Sequence, residues 1–157
     1  MTNEERRVAD LIREAFQGVT LGDGIGLLEA QGMDDYECGE TLAKYRAKDE
    51  KNDWSAIPAG TLNRCNSSLS FFDPAGMRFH LPAFLLVDLE GTLPQEMDFK
   101  LGVLSEYRRS QLSLLSPAQR DAIREFLLLC LQKDPEGFNA PSIRRSVDTY
   151  WAPSIDT

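Results

Sequence analysis

The chain has a single histidine, His80, and that fact bounds its chemistry. A Ser–His–Asp constellation would have to join His80 to Ser68 or Ser70, and no Gly-x-Ser-x-Gly elbow is present to present a nucleophile. Carboxylates with one imidazole suit Mn, Fe or Mg, so Asp34, Asp35, Asp73 and His80 make a reasonable metal set if the fold brings them together. Asp34, Asp35 and His80 could then run a metal-dependent or acid–base hydrolysis. Against this, a lone histidine beside Phe79 and Leu81 is more often a core or capping residue than a base. No Cys-x-x-Cys pair exists to hold a structural zinc ion.

The second chemical feature is the run Asp34-Asp35-Tyr36-Glu37. Adjacent carboxylates repel unless a positive group sits with them, so such a run marks a metal or arginine site or, more plainly, a loop that caps the next helix. It belongs to a base-free stretch before Lys44 that also carries Asp23, Glu29 and Glu40, in a chain of net charge −8. Such a surface repels a phosphate backbone and attracts cations or a basic protein partner, or it is simply a solvated face. The arginine pairs Arg6-Arg7, Arg108-Arg109 and Arg144-Arg145 are too dispersed to form a nucleic-acid stripe. Arg78 lies in the most apolar part of the chain and calls for a carboxylate: Asp73, Asp88 or the Asp34-Asp35 pair. The candidate binding residues are therefore Asp34, Asp35, Tyr36, Glu37, Trp54, Asp73, Arg78 and His80, and no cofactor is implied.

The stretch Phe71-Phe72-Asp73-x-x-Gly76-x-Arg78-Phe79-His80-Leu81-Pro82-Ala83-Phe84 resembles the signature of an uncharacterised family of small bacterial proteins. Further matches are Gly24-Ile25-x-Leu27 followed by Asp34-Asp35-Tyr36, the Asp53-Trp54 pair, and Gln119 before Phe126-Leu127. The resemblance covers most of the chain and implies no particular activity.

At 157 residues, one globular domain is expected. Apolar residues make up 42% and charged residues 27%, which suits a folded chain rather than a disordered one. No apolar run is long enough to span a bilayer and the start has no apolar leader, so a cytoplasmic protein with reduced cysteines packed in or near its core is expected.

The periodicity predicts an α-rich α+β fold: about five or six helices with a small antiparallel sheet or hairpin. Thr2 or Asn3 caps a first helix through Gln17, and Asp23 caps a short one over about Ile25–Gln31. Residues 40–51 read as a short exposed helix. Asp53 to Pro58 forms a turn that drops Trp54 onto the core. Leu62, Cys65, Leu69 and Phe72 continue a helix from Pro58, unless it breaks near Asn66-Ser67-Ser68. Residues 69–81 admit two structures, a hairpin closed by Asp73-Pro74-Ala75-Gly76 or a short helix capped by Asp73 and ended before Pro82. From Pro82 a buried helix runs to Leu89 and stops at Gly91. Met97, Phe99, Leu101 and Val103 alternate like a strand, with Gln111–Leu115 as its partner. Ser116-Pro117-Ala118-Gln119 is a capping box that opens a helix to about Gln132, expected to pack on the Pro82–Leu89 helix. A last helix over about Pro141–Tyr150 ends in Trp151 and a short tail.

Two functional readings follow. The favoured one is a non-catalytic interaction module, immunity-like or regulatory, whose acidic N-terminal face binds a basic partner without engaging nucleic acid or membrane. The alternative is the small hydrolase on Asp34, Asp35 and His80. Convergence of those three side chains in one polar cleft separates the second from the first.

Overall fold

A computed structural model describes residues 1–91 and 96–153. Among the described residues the chain is all-helical, with no strand. The helices are α1 (Asn3–Ala15), α2 (Leu27–Asp34), α3 (Gly39–Lys48), α4 (Ala59–Arg64), α5 (Pro74–Glu90), α6 (Met97–Gly102), α7 (Glu106–Gln111), α8 (Pro117–Lys133) and α9 (Ala140–Asp148). Short 3-10 helices cover Trp54–Ala56 and Asn66–Ser70. The tail expected after Trp151 leaves the described residues at Pro153.

The expected α+β class is therefore corrected, and both of its supposed β elements have a physical explanation. Met97 and Leu101 stand one helical turn apart and are each 1% exposed, whereas Phe99 and Val103 face outward. Apolar residues two apart over so short a run fit a helix flank as well as a strand. The Asp88 carboxylate accepts the Met97 N–H at 3.1 Å and holds the start of α6. Between the expected strand and its expected partner, where residues 105–110 would have to turn the chain, Ser105 is instead a helix cap: its hydroxyl accepts the Arg108 N–H at 3.0 Å. At residues 69–81 the helical alternative holds, with Asp73 as N-cap and Pro74 in the first turn.

That helix, α5, does not stop before Pro82 but runs through it to Gly91, whose φ of +71° closes the C-terminus. A proline here removes one N–H and crowds the preceding turn, at about 3 kcal/mol. Burial offsets it. Met77, Phe79, Leu81, Phe84 and Leu85 are each at most 1% exposed, and each large side chain contributes about 1.5–3 kcal/mol. With buried residues on every side, α5 is the central helix. Helix α8 keeps its capping box at Ser116 and Gln119, but it packs chiefly on α1, α9 and α6 rather than on α5. Phe84 and Phe126 are both buried, as the core assignment requires.

Two junctions tie the acidic N-terminal third to this core. The Asp73 carboxylate Oδ1 accepts the Gly76 N–H at 2.8 Å, capping α5, and also the Ile25 N–H at 3.0 Å. Backbone meets backbone there: a Cβ on Gly76 would lie 2.5 Å from the Ile25 carbonyl oxygen. Helix α2 is not capped by Asp23. The carboxylate of Asp49, at the end of α3, accepts the Leu28 N–H at 2.7 Å and the Glu29 N–H at 3.2 Å. A Cβ on Gly26 would sit 2.1 Å from that carboxylate, so glycine is what leaves room for the cap.

Asp73 therefore serves two segments at once. Replacing it by alanine removes a cap and leaves the Ile25 N–H unpaired. Asp73→Ala is expected to lower stability by about 2–4 kcal/mol, against less than about 0.5 for Asp35→Ala, as read from urea denaturation of the two variants.

Candidate functional site

His80 sits at the heart of α5 with no accessible surface. Its Nδ1 lies 2.7 Å from the Gly76 carbonyl oxygen, which can only accept, so Nδ1 carries the proton. The ring stacks on Phe72 at 4.4 Å and meets the edge of Phe79 at 4.9 Å. Its Nε2 is buried and has no hydrogen-bond partner. Burial pushes the imidazole down to a pKa of about 4, opposed by the Gly76 carbonyl and by the charge of Asp73. His80 is thus a neutral aromatic core residue at pH 7. Neither candidate serine hydrogen-bonds to it. Ser68 Oγ donates to the Leu27 carbonyl at 2.7 Å, and the Ser70 carbonyl accepts from Tyr107.

The Asp34–Glu37 run lies elsewhere, at the exposed C-terminus of α2. No group of three or more His, Cys, Asp or Glu side chains suited to a metal ion occurs among the described residues. Asp34, Asp35 and His80 do not converge, which removes the arrangement the hydrolase reading required. Asp73 comes near enough for its charge to act on His80, but its Oδ1 is taken by two backbone donors.

The α2 terminus has a defined geometry. The Glu37 N–H reaches the Gly32 carbonyl at 3.0 Å, and the Tyr36 N–H reaches the Met33 carbonyl at 3.2 Å. Those two bonds make a Schellman cap, whose left-handed position normally takes glycine. Here it is Tyr36, at φ +58° and 96% exposed. Cys38 follows, with an exposed thiol that the Thr41 hydroxyl holds below its usual pKa. Of the cysteines expected in or near the core, Cys65 is buried and Cys130 half-buried, while Cys38 departs from that expectation.

Trp54 and Arg78 remain. Trp54 is buried, and its indole N–H donates to the Phe16 carbonyl at 2.9 Å. It borders a groove of about 450 Å³ beside Arg13 and Leu86. Arg78 does not pair with Asp73, Asp88, Asp34 or Asp35. Among the described residues no carboxylate lies within 4.0 Å of its guanidinium, and its buried Nε has no partner.

Sequence comparison places these features in a family. Residues 4–155 match a family described as one of unknown function, DUF6714. The chain belongs to that family. The DUF6714 match takes in Asp73, Gly76, His80 and Tyr36, so both the buried junction and the exposed cap lie within it. No curated protein and no solved structure matches the chain. No helix among the described residues is long and apolar enough to cross a membrane.

Two outcomes follow from His80 and Arg78. His80→Ala is expected to cost about 2–5 kcal/mol by emptying a packed aromatic site, and Arg78→Ala less than about 1. Denaturant melts showing the reverse order would overturn the assignment of His80 to the core. The acid response has a definite sign. The unfolded chain takes up a proton at His80 below pH 6.5, and the folded chain only near 4. Stability is therefore full above pH 6.5 and falls by about 3 kcal/mol on acidification toward pH 4. Urea midpoints across that interval should drop in the wild type and drop less in His80→Phe.

Proposed function

We propose that the chain is a non-catalytic interaction module, immunity-like or regulatory, which presents Tyr36 on its acidic turn to a basic protein partner. The observation that supports this reading is the cap itself. A non-glycine residue in the left-handed position costs about 1 kcal/mol, and a tyrosine that is 96% exposed recovers none of it by burial in this chain. Tyrosine offers a large, rigid contact area at small entropic cost, and it is enriched where interfaces concentrate their energy. Asp34, Asp35 and Glu37 surround it with negative charge and, among the described residues, none has an ion-pair partner. Such a rim steers a basic partner and rejects acidic ones.

Cys38 provides the means of testing this. Burial pushes the Cys130 thiol up to about 12 and raises that of Cys65, so at neutral pH a maleimide photocrosslinker reacts first at Cys38, two residues from Tyr36. Cross-linking in native lysate at low salt is expected to trap proteins with basic surfaces. Raising the salt screens exposed charges over about 8–10 Å and should reduce the yield. Tyr36→Gly should stabilise the fold by up to about 1 kcal/mol while abolishing the cross-links. If Tyr36→Gly is stabilised and still captures the same proteins at any salt concentration, the turn is not the binding face.

A further inference from the structure

Helices α1 and α8 lie antiparallel. Arg7 meets Glu125 at 3.3 Å at one end, and Gln119 Nε2 donates to the Ala15 carbonyl at 3.2 Å at the other. Between them runs a groove of about 590 Å³ with Leu11, Ala15, Ala118 and Ala122 among its lining residues. Small side chains let another helix approach to about 8–10 Å, and the span from Arg7 to Glu14 covers about two helical turns at 1.5 Å per residue. That is room for one apolar residue and its neighbour a turn away.

The charges decide what fits. Arg7 is committed to Glu4 at 3.1 Å and to Glu125. Glu14 and Asp121, also in the groove lining, have no cation partner among the described residues. A second copy of the chain would bring the same lining, with one base and three acids, onto itself. The chain's net charge of −8 adds to that repulsion. By contrast, the groove at Trp54 is largely matched from within: Arg13 pairs with Asp10 at 3.2 Å, and Asp53 accepts the Ser55 N–H at 3.0 Å. We infer that the α1–α8 groove receives a basic amphipathic helix of a partner protein, with bulky apolar side chains on the alanines and Lys or Arg against Glu14 and Asp121. This goes beyond the proposed role of Tyr36, because the groove is built from other helices.

The probe is a fluorescein-labelled two-heptad peptide of Leu and Lys at helical spacing, titrated with the full chain and followed by anisotropy. A peptide of Leu and Glu at the same spacing is the control. The Leu/Lys peptide is expected to bind and the Leu/Glu peptide not to. Ala118→Trp fills the groove without changing charge, and Asp121→Lys reverses one acid. Both positions are exposed, so the fold tolerates each. Each variant should weaken binding by at least about tenfold, a difference of about 1.4 kcal/mol, and Tyr36→Gly should leave it unchanged. If Ala118→Trp binds as tightly as the wild type, the attraction is only that of an acidic surface for a cation and the inference fails. It fails equally if neither peptide binds, if Tyr36→Gly abolishes binding, or if sedimentation shows a dimer that Ala118→Trp dissociates.

Discussion

The fold depends on one carboxylate oxygen. Asp73 Oδ1 accepts the Gly76 N–H that would otherwise be orphaned at the start of α5, and it accepts the Ile25 N–H from the loop before α2. A charged acceptor is roughly twice as strong as a neutral one, and here it holds two donors, one in its own helix and one 48 residues before it. Once the Ile25 carbonyl is drawn against Gly76, the registers of α2 and α5 are set. The rest of the segment from 69 to 80 is held in the same style. Gln111 donates to the Leu69 and Phe72 carbonyls at 3.1 and 2.9 Å, and Arg108 donates to Leu69 at 2.8 Å. Helix α7 therefore supplies side-chain donors to backbone acceptors where the chain passes from 3-10 turn to helix. Burial lowers the basicity of the Arg108 guanidinium, which is stabilised by carbonyl and amide oxygens rather than by a carboxylate.

Much of this was legible in the residues. Asp73-Pro74 announced a helix start as well as a turn, the Ser116–Gln119 box opened α8 as expected, and Trp54 lies on the core as expected. Leu62, Cys65, Leu69 and Phe72 are all buried, and of the two readings of that segment the break near Asn66-Ser67-Ser68 holds, where a 3-10 turn covers Asn66–Ser70. What misled was short range. Over Met97–Val103 an alternating pattern and a helical one share half their positions, and only packing chooses between them. Here Leu101 and Gly102 are tied to the last helix and its end: Ser146 donates to the Gly102 carbonyl at 3.0 Å and the Trp151 indole to the Leu101 carbonyl at 2.8 Å. Pro82 misled for a related reason. A proline terminates an exposed helix, but inside a fully packed one the lost bond is outweighed by the apolar surface on both sides.

Of the candidate residues, the sequence showed which polar groups lie among apolar neighbours and not what each one touches. The same composition that made His80 look like a functional residue, a polar ring among aromatics, is what lets it behave as an aromatic. Its one donor is used within its own helix, and a flat ring stacked on Phe72 fills space that an aliphatic residue would fill less evenly. Arg78 followed the opposite logic. The expectation that it needs a carboxylate assumed full burial, whereas it is only half-buried and can run its stem along the apolar surface. Asp49 was missed altogether, since no local pattern tells a residue at the end of α3 that it will cap α2. Burial raises its carboxyl above the usual range, although two backbone N–H groups favour the charged form.

The consequence for function is a division of labour between the acids. Asp73 and Asp49 are spent on backbone donors and belong to stability, and so do the glycines that let them approach. Those around Tyr36, together with Glu14 and Asp121 beside the α1–α8 groove, form no ion pairs among the described residues. A buried carboxylate can be retained for folding alone, because its hydrogen bonds to backbone donors offset part of its desolvation and satisfy groups that would otherwise be orphaned. An exposed tyrosine in a glycine position has no such repayment within the chain. Of the two non-glycine residues with positive φ among the described residues, Glu96 precedes α6 and Tyr36 lies on the acidic turn, and neither is in the histidine-bearing core.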